Sequence, residues 1–479
     1  MSTHTSPVSV AGHTANMGAV LRITLVAAMG GFLFGYDSAV INGATGAMQD
    51  YFGVSAGALG SAVASALLGA AVGAFFGGRL ADRMGRVKVM RIAAVLFLVS
   101  AVFCAIDPFF TDGTNGFVWL IAWRVVGGIG VGVASIIAPA YIAEVAPADV
   151  RGRLGSLQQL GIVLGIFASQ IVNRIIIGLA GSADAELVFG MDAWRVMFLI
   201  CAIPAIIYLI GAFVIPESPR WLVAQGRRED ALRVMTHLQG QGPAQHRMAI
   251  IDRTLDTEHK PRFADLRGAA AGLKPVVWIG IGLAVLQQLV GINVIFYYSN
   301  QLWQSVGFQE SDAFTISTIT SVTNVVVTLV AIALVDRIGR KKLLLIGSAG
   351  MAVTLATLAV VFSTATITDT GPVLGDTAGT VALVAANLYV VFFGVSWGPV
   401  MWVLLGEMFP NRIRGAALAI AGLMQWLANW AVTASFPVLA DASLVLAYGL
   451  YAFFAVISLI FTAKVVRETR GVELEDMQN

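Results

Sequence analysis

Apolar residues in this chain gather into long runs separated by short polar connections. The runs lie near residues 18–42, 59–80, 89–106, 117–140, 154–178 and 194–215, and resume after a polar stretch from 216 to 274 near 275–299, 314–335, 342–363, 381–405, 415–437 and 444–466. Each is close to the roughly 20 residues that an α-helix needs to cross a hydrocarbon core about 30 Å thick. The pattern predicts six spans, a large connection, then six more. Within that connection Ala231, Leu232, Met235 and Leu238 recur at amphipathic helical spacing, so a helical linker is expected.

The basic residues give the spans a direction. Even-numbered connections hold Arg83, Arg86 and Lys88, then Arg151 and Arg153, then the arginine-rich linker, then Arg337, Arg340, Lys341 and Lys342, then Arg412 and Arg414. The odd-numbered stretches 42–58, 107–117, 300–313, 363–380 and 439–443 contain no Lys or Arg. Positive residues stay on the cytoplasmic side, so both termini and the linker are expected in the cytoplasm. The predicted organisation is a tail at 1–17, a six-helix half at 18–215, a linker at 216–274, a second half at 275–466 and a tail at 467–479.

Composition agrees with this reading. Of 479 residues, 57% are hydrophobic and 12% charged, with a mean hydropathy of +0.81, against about a quarter charged in soluble proteins. A net charge of +2 gives no nucleic-acid signal. Cys104 and Cys201 both lie in apolar runs and read as small buried hydrophobes. The five histidines, His4, His13, His237, His246 and His259, all fall in polar segments, which leaves an intramembrane metal site or histidine-based hydrolase without its groups. Met1 to Asn16 is polar with no basic n-region, so the first run is expected to be retained as a helix.

The halves repeat each other. Asp82-Arg83-Met84-Gly85-Arg86 is matched by Asp336-Arg337-Ile338-Gly339-Arg340, and Glu144-x-x-Pro-x-x-x-Arg151-Gly152 by Glu407-x-x-Pro-x-x-x-Arg414-Gly415. Pro216-Glu217-Ser218-Pro219-Arg220 is echoed more weakly by Arg467-Glu468-Thr469-Arg470-Gly471. A duplicated six-span unit in parallel orientation puts a site between the halves near the midplane, reached by rocking one half against the other.

With Gly35-Tyr36-Asp37, Pro216 to Trp221, Gln287-Gln288-x-x-Gly291-Ile292-Asn293 and the paired Asp-Arg-x-Gly-Arg loops, the chain resembles the sugar porter branch of the major facilitator superfamily along essentially its whole length. The resemblance is nearest to bacterial xylose and glucose carriers. It implies an all-α membrane protein of the major facilitator fold, with twelve transmembrane helices in two pseudo-symmetric six-helix halves joined by a helical cytoplasmic linker. It implies a cell-membrane carrier for a monosaccharide, coupled to protons, working as a monomer in the lipid bilayer with no cofactor, no metal and no enzymatic activity.

The residues themselves favour a neutral polyol. Gln159, Gln170, Gln287, Gln288, Asn293, Asn324, Asn387, Gln425 and Asn429 sit inside otherwise apolar spans, and an amide offers the donor and acceptor that a sugar hydroxyl needs. Any one of them is equally well a helix-to-helix tie. By resemblance the sugar contacts fall on Gln159, Gln287, Gln288, Asn293, Trp402 and Gln425, with Phe34, Tyr297, Asn324 and Trp426 beside them. On an unbroken helix Gln287 and Asn293 would point about 120° apart, so local unwinding is expected at Gly291, and likewise at Gly394 and Gly398-Pro399.

Intramembrane charge is nearly limited to Asp37 and Arg124, which reads as a functional pair and which the resemblance implies is the proton-coupling pair. Arg83, Glu144, Arg151 and Glu217, with Arg337, Glu407 and Arg414, are expected as a cytoplasmic gate, which by resemblance closes through interdomain salt bridges in the outward-facing state. A primary pump would need a Gly-x-x-x-x-Gly-Lys nucleotide site, which the chain lacks. A channel would need a filter or charged ring rather than scattered amides. A proton-independent facilitator and a carrier-fold sugar sensor remain the alternatives to symport.

Overall fold

The computed structural model describes residues 16–106, 114–147, 151–257, 263–268, 272–368, 371–410 and 413–469. Twelve helices long and apolar enough to cross a membrane are present among them. Spans 1 to 6 are Met17–Gly43, Ala56–Met84, Arg86–Ala105, Asn115–Val145, Leu154–Ala180 and Ala193–Val214. Spans 7 to 12 are Pro275–Tyr297, Glu310–Val335, Arg340–Phe362, Asp376–Met408, Arg414–Ala442 and Leu444–Lys464. Ile203, Ile206, Ile207, Ile210 and Phe213 form an exposed apolar stripe on span 6, as a helix bordered by lipid requires.

In lipid the apolar side chains gain little by leaving the acyl chains for one another, so helices associate through close backbone contact. Spans 2 and 4 pack this way: a Cβ on Gly128 would stand 1.9 Å from the Ala66 carbonyl oxygen. Only glycine permits that approach.

The duplication is visible in two matching corners. Span 2 turns into span 3 through Gly85 (φ 94°, ψ 156°), and span 8 turns into span 9 through Gly339 (φ 99°, ψ 156°). Glu217 accepts from the amides of Arg86 (2.9 Å) and Val87 (3.1 Å), satisfying first-turn donors of span 3. Glu468 does the same for Arg340 (2.9 Å) and Lys341 (3.0 Å) at span 9. The weak sequence echo between residues 216–220 and 467–471 is therefore a structural equivalence at Glu217 and Glu468.

The linker forms helices Pro219–Ala224, Arg228–Gln239 and Gln241–Thr257 around a small core of Leu222, Val223, Ala231, Met235 and Ala244. It is tied to the first half: Asn16 N–H donates to Leu238 O (3.0 Å), and Arg247 donates to the carbonyls of Glu144 (2.9 Å) and Ala146 (3.1 Å).

Three details depart from the sequence reading. Two short hairpins, Glu186–Val188 with Met191–Asp192 and Thr366–Thr368 with Gly371–Val373, interrupt the otherwise helical chain. Residues 45–52, read as loop, form a short helix, Thr45–Phe52. Span 10 breaks at 395–396, and Gly398-Pro399 open the restarted helix rather than break it, because proline is at home in a first turn.

Candidate functional site

Span 7 is two helices, Pro275–Leu289 and Ile292–Tyr297, separated at Gly291 with φ +82°. That left-handed conformation suits glycine alone here, since a Cβ would lie 2.6 Å from the Tyr451 ring. The break turns the segment so that amides six residues apart join one network. Asn293 Nδ2 donates to Gln288 Oε1 (2.7 Å), and Gln288 Nε2 donates to Gln287 Oε1 (3.1 Å). Gln425 Nε2 of span 11 donates to the same Gln287 oxygen (2.8 Å), while Gln287 Nε2 donates to the Trp397 carbonyl (2.8 Å) just past the break in span 10. Asn293 and Gln425, the outer members, are half-buried, and Gln287 and Gln288 are buried. Each outer amide keeps hydrogen-bonding capacity beyond its one bond within the array.

Aromatic residues lie on the elements that carry this array and opposite them. Phe34 of span 1 meets Trp426 of span 11 edge to face, centroids 5.3 Å apart, across the two halves. Trp402 remains 38% exposed and lies against Gly422, one turn from Gln425. Tyr297 is buried at the end of the short helix that carries Asn293, and Asn324 faces Gly394 where span 10 breaks. Gln159 is half-buried on span 5. Of the other intramembrane amides, Gln170 accepts from Asn42 (3.1 Å), Asn387 accepts from Thr323 (3.2 Å) and Asn429 accepts from Thr433 (3.1 Å), which are ties within the protein.

The charges lie elsewhere. Arg124 Nη1 of span 4 sits 3.3 Å from the Asp37 carboxylate of span 1, with the side chains 3% and 11% exposed. The same nitrogen donates to the Asp37 carbonyl (3.4 Å), the Phe198 ring lies 5.7 Å from the guanidinium, and Nε is buried without a hydrogen-bond partner among the described residues. Cys104 and Cys201 are both free and buried.

At the linker end the gate carboxylates pair within their own halves. Arg86 grips Glu144 with Nε and Nη2, both at 3.0 Å, and Arg340 grips Glu407 at 3.1 and 2.8 Å. Among the described residues, the carboxylates of Glu144 and Glu407 are held by a bidentate arginine one helix away in the same half rather than by the cross-half bridges expected for them. Glu217 likewise stays in its own half as a cap on span 3. Arg83 and Arg337 are exposed, Arg414 donates to the Phe409 carbonyl (3.1 Å), and the side chain of Arg151 lies outside the described residues.

The halves are joined at the opposite end. Asn42, closing span 1, donates to Gln170 (3.1 Å) and Ser317 (3.4 Å), and accepts from the Asn300 amide (2.9 Å). Asn300 Nδ2 returns a bond to the Asn42 carbonyl (3.2 Å), and Ser317 donates to Asn300 Oδ1 (2.7 Å). A Cβ on Gly60, at this end of span 2, would stand 2.3 Å from the Ala434 carbonyl oxygen, whereas Gly78, Gly155 and Gly406, near the linker end, meet nothing within 4 Å among the described residues. The sequence reading missed this cluster because it assigned Asn42 and Asn300 to connections.

The arrangement combines uncharged hydrogen-bonding groups, suited to a neutral, hydroxyl-rich ligand, with one buried carboxylate among the described residues. A family model described as "Sugar (and other) transporter" matches residues 23–479. The chain is 54% identical to a glucose transport protein of Synechocystis sp., over 97% of this chain and 98% of that one. It is 38% identical to the D-xylose-proton symporter of Escherichia coli, over 97% and 96%. Its fold is similar to the partially occluded inward-open conformation of the xylose transporter XylE from E. coli, with a TM-score of 0.82 at 37% identity, covering 95% of this chain and all of that one. With similarity running from end to end and the twelve spans in place, this multi-pass membrane protein belongs to the sugar transporter family and has the major facilitator fold.

Proposed function

We propose that the chain imports a neutral hexose or pentose of the glucose or xylose class, driven by protons moving with the sugar through alternating access. The observation that carries the reading is the separation of roles inside the membrane: linked amides around Gln287 on one side, the buried Asp37–Arg124 pair on the other. Amides hold hydroxyls without needing a counter-charge, so an uncharged sugar can bind and leave while the ion pair changes state. Gln287, Gln288, Asn293 and Gln425 take the hydroxyls, and Trp402 lays its ring on the apolar face of the pyranose. Gln159, Phe34, Tyr297, Asn324 and Trp426 line the same space.

Asp37 stays paired with Arg124 while ionised. Protonation neutralises the carboxylate and loosens the pair, and the loaded halves then rock. The basic corners support a cytoplasmic linker and cytoplasmic termini in the cell membrane, with the Asn42 cluster at the outer face. The resting geometry is inward-facing, in keeping with the inward-open structure that it resembles. Arg86 and Arg340 would then exchange partners across the halves, with Arg83, Arg151, Arg337 and Arg414 beside them, as the inner end closes. The protein works as a monomer.

The test is uptake of a panel of labelled monosaccharides into proteoliposomes, with and without an imposed proton gradient. Accumulation of one of them above equilibrium, abolished by a protonophore, is the expected result. A carrier that merely equilibrates sugar, indifferent to the gradient, sinks the symport reading.

A further inference from the structure

The turn at Gly291 frees a carbonyl that a continuous helix would have used. Val294 N–H, the ordinary partner of Val290 O, donates instead to Gly291 O (3.2 Å). A peptide oxygen left bare at this depth is costly, because neither lipid nor apolar side chains can donate to it. Tyr389 supplies the donor: its hydroxyl reaches Val290 O at 2.7 Å from span 10, and the side chain is wholly buried.

The same span supports the other end of the amide array. Past its break, the Trp397 carbonyl receives Gln287 Nε2 (2.8 Å), and the Trp397 indole is held by Ser348 Oγ of span 9 (2.9 Å). Span 10 therefore fixes span 7 at two points, one on each side of Gln288. We propose that Tyr389 is a positioning residue for the sugar site: it pins the turn at Val290 and Gly291 so that Gln288 and Asn293 present their amides as one unit. This role rests on reading those amides as the sugar site.

A neighbouring tyrosine provides the control. The Tyr448 hydroxyl is also buried in the second half, yet it has no hydrogen-bond partner among the described residues. Tyr389→Phe and Tyr448→Phe remove the same atom from similar surroundings, but only the first strips a carbonyl of its donor. Binding of glucose and xylose to the purified protein is measured by calorimetry, alongside KM and maximal rate in equilibrium exchange and the melting temperature without sugar.

Tyr389→Phe should weaken binding roughly tenfold and raise KM with little change in maximal rate, the effect of an unsatisfied buried acceptor on a site's shape. Tyr448→Phe should bind as the wild type does. Unchanged affinity in Tyr389→Phe, or an equal loss in both variants, overturns the role. If Tyr389→Phe fails to reach the membrane, 4-aminophenylalanine and 4-fluorophenylalanine at position 389 place a donor and a non-donor there, and equal affinities again overturn it. A wild type that binds neither sugar refutes the substrate reading, and this role with it.

Discussion

Exchanging Asp37 for Asn separates energy coupling from carriage. The carboxylate lies 3.3 Å from Arg124 Nη1 in surroundings that leave the two side chains 11% and 3% exposed. Removing one partner of a buried ion pair costs about 3–5 kcal/mol, but Asn keeps an acceptor of nearly the same size, so the loss should fall at or below the bottom of that range. The variant should therefore fold. Its transport is where the difference appears. Among the described residues Asp37 is the only buried carboxylate, so the proposed cycle assigns one proton to each sugar. Each 100 mV of proton-motive force supplies about 2.3 kcal/mol per charge, enough for roughly 50-fold accumulation. The assay is the steady-state ratio of internal to external sugar in energised proteoliposomes, paired with exchange at equal concentrations on both sides. The wild type should approach several tens and collapse to one with a protonophore. Asp37→Asn should stay at one from the start while exchange continues. An Asn variant that still accumulates sugar, or a variant that loses exchange and accumulation together, would refute the assignment of Asp37 as the proton carrier.

Gln288→Ala and Asn293→Ala should each weaken sugar binding about tenfold or more, from about 1–3 kcal/mol of lost hydrogen bonding, with calorimetric titration as the check and unchanged affinity in both as the adverse result. Asn42→Ala removes two side-chain bonds between the halves, to Ser317 and from the Asn300 amide, besides one within the first half to Gln170; on the proposed orientation it should shift the resting population toward outward-open by tenfold or more, read as increased labelling of cysteines introduced at the end opposite the linker. Glu217→Ala and Glu468→Ala should lower stability by similar amounts, about 1 kcal/mol each, because each uncaps the first turn of an equivalent span; a melting-temperature loss confined to one of them would contradict the equivalence.

Span number and positions were legible because lipid demands long apolar segments, and the corner motifs were legible because the charged residues at Arg86 and Arg340 interrupt such segments. The turn at Gly291 was legible for a geometric reason: a helix cannot aim Gln287 and Asn293 at one ligand unless it breaks between them. The partners were harder to see. Which carboxylate Arg86 holds depends on which helix end lies within reach, and that is a property of packing. Glu468 looked like a weak echo because the residues around it have diverged from those around Glu217, although both carboxylates cap the same kind of turn. The bonds from Asn42 to Asn300 escaped notice because both residues occur at span ends, where an amide is unremarkable until the opposing half is brought against it. Trp397 contributes through its carbonyl, and no side-chain pattern can advertise a backbone oxygen.

The linked amides come from spans 7 and 11, with a carbonyl from span 10, while the ion pair comes from spans 1 and 4. On the proposed reading the two copies of the repeated unit divide most of the labour: the second supplies the linked amides that hold the cargo, the first the ion pair that meters the power. On that reading, mutations among the second copy's amides retune which sugar is carried without touching the driving force. Mutations at Asp37 convert driven carriage to passive carriage without changing the menu. Diet and energy source are in this way free to evolve independently on one scaffold.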